Sequence, residues 1–280
     1  MGIAAGIPAI KIQESIEKLG PKIFSKKPRP KSEILATLQL RKNMLGAKYS
    51  ATALKEEIDE LFGKEAKIGD LKHRIIVPSI NLTKGRPQVF KTAHHATFVR
   101  DFKLNISDVA LATAAAPTYF PLHKIGGELF ADGGLYANAP DQLAIHEAIH
   151  FLGQDISEIK LLSIGTTTSK FSFSNSINSN MGWVSWLRQE RLPSVMIAAQ
   201  QMSSDDMLKH RMGVNYLRID QEQSREQEDS LGLDIATNGA IEDLKGLAEG
   251  SIREHLGRAI LPEFLNHAAP APTFYQEDRT

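Results

Sequence analysis

A short apolar strand that ends in an acid and two glycines, Glu128-Leu-Phe-Ala-Asp132-Gly133-Gly134, constrains this chain more than any other stretch. Glycine adopts backbone angles that residues with a Cβ resist, so the chain can turn at once and leave the carboxylate at the strand's end. In an open α/β sheet the functional crevice lies beyond the carboxyl ends of the strands, where this acid falls. A carboxylate held close to a hydroxyl, and partly shielded from water, can take the hydroxyl's proton. Asp-Gly pairs also make ordinary turns, so the flanking sequence has to decide. Upstream stands Ala114-Ala-Ala-Pro117-Thr-Tyr-Phe-Pro121, and downstream Leu-Tyr-Ala-Asn138-Ala-Pro140 leads into a helix.

Strand and helix patterns alternate on both sides of this turn, which predicts an α/β sheet. Residues 2–5 read as the tail of a helix stopped by Gly6 and Pro8, and 9–19 as an amphipathic helix with Ile10, Ile12 and Ile16 on or near one side. A helix is expected over 51–62, stopped by Gly63. Strands are expected over 74–82 and 88–91 around the turn Thr83-Lys-Gly85-Arg86-Pro87, with Pro78 marking an edge or a bulge. Ser107 reads as the cap of a helix ended by Pro117, and the helix opened by Asn138 and Pro140 runs to Leu152. Lys160 to Ile164 suits a buried parallel strand, and 214–219 a further strand. Residues 171–180 read as a loop, 183–212 and 240–266 as mostly helical, 221–229 as an exposed polar stretch and 267–280 as a tail. The basic stretch from Lys22 to Lys31 reads as a solvated loop, the alternative being a contact for anionic headgroups.

Bulk properties narrow the function classes. The 280 residues are taken as a single domain, with 42% hydrophobic and 24% charged residues. Lysine plus arginine is 33 and aspartate plus glutamate is 33, so no bulk charge drives the chain onto nucleic acid. The absence of cysteine excludes disulfides and thiolate metal sites and fits a reducing compartment. No apolar run spans a bilayer, and the first residues lack the basic leader of a signal peptide.

The run from Asp108 to Ala148, with A-A-P-T-Y-F-P, then D-G-G, then N-x-P, resembles the patatin-like phospholipase family. The resemblance implies a three-layer α/β fold with helices on both faces, a Ser–Asp dyad without histidine, and hydrolysis of lipid acyl esters, a phospholipase A type of activity. Asp132 falls on the family's catalytic Asp, in a turn completed by Gly133 and Gly134. The family's nucleophile is the Ser of a G-x-S-x-G turn, and this sequence contains no G-x-S-x-G. The opening Gly2-Ile-Ala-Ala-Gly6-Ile-Pro8-Ala looks like the family's segment just after the nucleophile. The expectation is therefore an N-terminally truncated domain, inactive as it stands, with the Ser and the glycine-rich oxyanion loop upstream. Ser79 to His95, followed by Phe98-Val-Arg-Asp101, looks like the bacterial phospholipases switched on by cyclic GMP-AMP in anti-phage defence. The partners implied are membrane phospholipid as substrate, a cyclic dinucleotide activator and a second copy of the chain. No nucleic acid, cofactor or metal is expected. The implied location is cytoplasmic, peripheral at the inner membrane face. The alternative is a non-catalytic remnant that binds lipid, a cyclic dinucleotide or a full-length partner.

A competing motif is His146-Glu147-Ala-Ile-His150, which matches the H-E-x-x-H of helical zinc peptidases and extends through Gly153. The position of a third histidine holds Ile156. On a helical wheel Leu143, Ile145, Ile149 and Leu152 fall on one broad side and His146, Glu147 and His150 opposite, which favours a solvated polar face. Ser163-Ile-Gly165-Thr lacks the lysine and glycine spacing of a phosphate loop and reads as a strand-to-loop turn. Trp183, Trp186 and Leu187 suggest packing, the alternative being a lid over a lipid cleft; Ser203 to Asp206 suggest a helix cap; and His94 and His95 read as exposed, uninvolved side chains, the alternative being a ligand contact.

Overall fold

The computed structural model describes residues 1–24, 46–167, 191–224 and 230–276, together with Asn180, Trp186 and Gln227. They form two compact units, Met1–Gly133 with Ser230–Ile241 and Ala268–Thr280, and Gly134–Asp229 with Glu242–His267. The fold is mixed α/β, as the alternating pattern predicts. Among the described residues no helix is long and apolar enough to cross a membrane.

In the first unit four strands, β1 (Ile76–Asn81), β2 (Arg86–Lys91), β3 (His123–Ile125) and β4 (Glu128–Asp132), pair antiparallel in the order β2-β1-β4-β3. Among the described residues the same unit holds the helices α1 (Ala9–Ile23), α2 (Thr52–Phe62) and α3 (Ile106–Thr113). Burial alternates along β1, so Val77, Ser79 and Asn81 face inward. Its core joins Val77, Phe90 and Phe130 to Ile106, Val109 and Ala112 of α3, with the Phe90 and Phe130 rings 5.3 Å apart. A tie from far along the chain closes this unit: Asp234, 3% exposed, accepts from Lys48 and from the Tyr49 hydroxyl at 2.7 Å. Gln276 likewise donates to the Gly69 carbonyl at 2.7 Å.

Several expectations change here. Pro78 lies in an interior strand, yet the ladder to β4 begins only at Ser79, so Pro78 has a ladder partner in β2 and none in β4. Ser107 sits inside α3, buried, and hydrogen-bonds Asp59, while Asn105 occupies the cap position. The α1 helix continues through Pro21 to Ile23 and buries none of its residues fully; Ile10 and Ile16 are 59% and 63% exposed. Residues 3–5 form a single 3₁₀ turn closed by Gly6 at φ +78°. Lys22 pairs with Glu57 at 3.4 Å, and the rest of the basic stretch lies outside the described residues.

The second unit contains α4 (Gly134–Ala137), α5 (Asp141–His150), β5 (Leu161–Ile164), α6 (Arg191–Met212), β6 (Tyr216–Ile219), α7 (Asn238–His255), whose first turn counts with the first unit, and α8 (Leu261–Leu265). Strands β5 and β6 run parallel, as expected of a strand pair joined by a helical crossover, with Ser163 opposite Arg218. Ile145, Leu208, Met212 and Tyr216 pack together, and Leu217 and Ile219 pack on Leu261. Ile164, expected inside, is exposed, and Val214 precedes the strand in a 3₁₀ turn. Ser203 to Asp206 lie in the middle of α6 and cap nothing; Asp205 bonds Lys209 at 2.6 Å and the Tyr216 hydroxyl at 3.0 Å. Trp183, Leu187 and the loop expected over 171–179 lie outside the described residues.

Candidate functional site

Asp132 closes β4 and is paired with Ser79 of β1. The next residue explains why the sequence needs glycine: a Cβ on Gly133 would lie 2.2 Å from the Pro78 carbonyl oxygen and 2.9 Å from the Ser79 nitrogen. No side chain fits such an approach, so the requirement is one of space between two backbones. That same Pro78 carbonyl accepts a hydrogen bond from the Thr113 hydroxyl at 2.6 Å. Ser79, fully buried, donates to the Ala131 carbonyl at 2.8 Å and to the Ala112 carbonyl at 3.2 Å. The Asp132 backbone N–H donates to the Ala115 carbonyl at 3.0 Å.

The A-A-P-T-Y-F segment therefore reaches the D-G-G turn, and both are fastened to β1 and the end of α3. Thr118 has φ +74°, rare for a β-branched residue. Its carbonyl accepts from the Lys48 N–H at 2.9 Å, and the Tyr119 carbonyl from the Tyr49 N–H at 2.8 Å. Asp132 itself is half-buried, and Gly134 begins α4. Ser79 and Thr113 support the turn but carry no motif of their own. The signal that points to them is Gly133, whose demand for a close backbone neighbour names no partner.

A histidine and an acid meet nearby in the same unit, His123 Nε2 and Asp108 Oδ1, at 3.0 Å. His94, expected exposed, is buried with its Nδ1 2.8 Å from the Thr92 hydroxyl, while His95 is half-buried. Phe98 meets both imidazoles and lies 4.5 Å under the Lys91 ammonium.

The H-E-x-x-H residues divide. His146 and His150 are exposed as predicted, whereas Glu147, a quarter-turn further round the helix from His146, is buried, 6% exposed. The wheel misplaced it because residues one apart lie 100° around a helix, and the apolar side of α5 is broad enough to take it in. No group of three His, Cys, Asp or Glu among the described residues could hold a metal ion. A Ser–Asp hydrogen bond does exist in the second unit: Ser163 donates to Asp141 at 2.8 Å and accepts from Arg218 at 2.8 Å. Ser163 is buried, and a guanidinium donating to its hydroxyl opposes its use as a nucleophile, so this pair is structural.

Fold and site together describe a mixed α/β protein with an acid in a glycine turn at the end of a sheet strand. The sequence model of the family described as patatin-like phospholipase matches residues 1–145. A cGAMP-activated phospholipase of Pseudomonas aeruginosa is 38% identical over 278 residues, 98% of this chain and 80% of the relative. A cGAMP-activated phospholipase of Vibrio cholerae is 32% identical over 259 residues, 87% of this chain and 72% of the relative. Patatin-like protein 1 of Arabidopsis thaliana is 26% identical over 260 residues, 82% of this chain and 61% of the relative. The chain belongs to the patatin-like phospholipase family.

Proposed function

We propose that this chain carries the acid half of a phospholipid acyl hydrolase, with Asp132 as the general base toward a serine hydroxyl. The observation that carries the reading is the backbone contact of Gly133 with Pro78, which leaves no latitude in where β4 ends. A base works only from a position within hydrogen-bond reach of the proton it takes, and a rigid turn supplies that position. The half-buried setting of Asp132 suits a carboxylate that must be accessible yet partly dry.

The 280 residues contain no G-x-S-x-G, so on this reading Asp132 has no partner serine of that motif within them, and they are expected to hydrolyse nothing alone. An acyl hydrolase also needs oxyanion donors, and losing one such donor costs roughly 10²- to 10³-fold in rate. Two relatives are named as cGAMP-activated, which supports a cyclic dinucleotide as the activating ligand of the complete enzyme. A phospholipid substrate sets the enzyme to work at a membrane surface, and the cysteine-free sequence fits the reducing, cytoplasmic side.

The test is hydrolysis of phospholipid and of a p-nitrophenyl ester by this chain and by a form extended upstream to include a G-x-S-x-G. Activity is expected in the extended form alone, and Asp132→Asn should lower it by at least about 10²-fold. Activity in the 280-residue chain that survives Asp132→Asn would overturn the assignment. An extended form that binds lipid or dinucleotide without turnover would make the chain a binding relative.

A further inference from the structure

The H-E-x-x-H stretch has no part in ester hydrolysis, and its geometry departs from a peptidase site in a specific way. His146 and His150 stand one helical turn apart on α5, and side chains at that spacing share a face. Their rings are parallel to within 13°, with centroids 5.3 Å apart. Phe151 meets both rings edge-on, at 5.9 Å from His146 and 4.7 Å from His150. Glu147, the residue that would activate a metal-bound water, is turned inward and buried. The two imidazoles thus stay together at the surface without the acid.

We propose that His146 and His150 form an open, two-imidazole site for a late first-row divalent cation. Imidazole nitrogen is a ligand suited to Cu²⁺, Ni²⁺ and Zn²⁺, and Cu²⁺ heads that series in affinity. Water completes the coordination, since no third His, Cys, Asp or Glu joins the pair among the described residues. The stacked rings have to turn about their side-chain bonds to aim one nitrogen each at a shared ion, and both are exposed. His150 is the last residue of α5, so a cation held there sits at the negative end of the helix dipole. The site has ligands but no base, and its role is to hold an ion that stabilises the end of α5. The proposal stands independently of the Asp132 chemistry.

The experiment is a Cu²⁺ titration of the full 280-residue chain, followed by calorimetry and by electron paramagnetic resonance. Wild type is expected to take up one tight equivalent whose spectrum shows two equatorial nitrogens, and its Tm should rise with Cu²⁺. Altering only the outer partners of a ligand costs roughly 10- to 100-fold in metal affinity, so His146→Ala or His150→Ala should weaken Cu²⁺ by at least about tenfold. The double variant should lose both the tight equivalent and the Tm rise. Both side chains are exposed, so the variants should match wild type by circular dichroism. A double variant that binds Cu²⁺ as tightly as wild type, or a wild-type spectrum with a single nitrogen, would overturn the proposal.

Discussion

A methyl group on Gly133 has nowhere to go. Its nearest neighbours would be the Pro78 carbonyl oxygen at 2.2 Å and carbon at 2.4 Å, and backbone cannot swing aside as a side chain can. Gly133→Ala is therefore expected to cost about 3 kcal/mol, the upper range for overpacking, measured by urea denaturation. Asp101 gives a prediction of the opposite kind. Burial pushes its carboxyl above the ordinary carboxylate range, against smaller opposing effects from Arg100 and the Lys91 N–H. An acid with a raised value contributes most to stability below its unfolded value of about 3.9, and that contribution is lost as pH rises through the folded one. Asp101→Asn should thus melt higher than wild type at pH 7, with the gain shrinking as the pH falls through the raised folded value and smallest once the pH is below about 4. Equal differences at both pH values would refute this. At this scale Asp132 and its glycines were legible because turn chemistry is local. Ser79 and Thr113, which hold the turn, were not, because their partners are 52 and 35 residues away.

Strands β5 and β6 are held by charge as well as by their ladder. Arg218, largely buried, donates to Ser163 at 2.8 Å and to Asp220 at 2.6 Å, and lies 3.7 Å from Asp141. Removing the cation leaves buried Asp141 and half-buried Asp220 without the guanidinium they share. Arg218→Met should cost about 3–5 kcal/mol by denaturation, and adding Asp220→Asn should restore a large share of it. The elements themselves could be read from apolar spacing, because period 2 and period 3.6 are set by burial on one face. What spacing could not reveal was the company each element keeps. Pro78 signals an edge in isolation, and only the late start of the β4 ladder reconciles it with an interior strand. The serines and acids of 203–206 have cap chemistry, but the apolar contacts of Leu208 and Met212 carry the helix past them.

Over the whole molecule 33 cations balance 33 anions, so no net charge keeps copies apart at pH 7. Self-association should peak near neutrality and fall toward pH 5 and pH 9, as measured by light scattering. A flat profile would mean that local patches govern association. The family could be told from the central motif alone, whereas the division into two units could not, because Ser230–Ile241 and Ala268–Thr280 return to the first unit across long stretches of the second. That return has a consequence for biosynthesis. Lys48 waits for an acid 186 residues further on, and Gly69 for a glutamine 207 residues further on. At about 5–20 residues per second, a ribosome needs roughly 10 to 40 s to supply the first of these partners. For the latter part of that interval, roughly 5 to 20 s after β4 ends at Asp132, the strands around Asp132 are made but not yet tied down, and a nascent chain in this state is where chaperones have their opportunity.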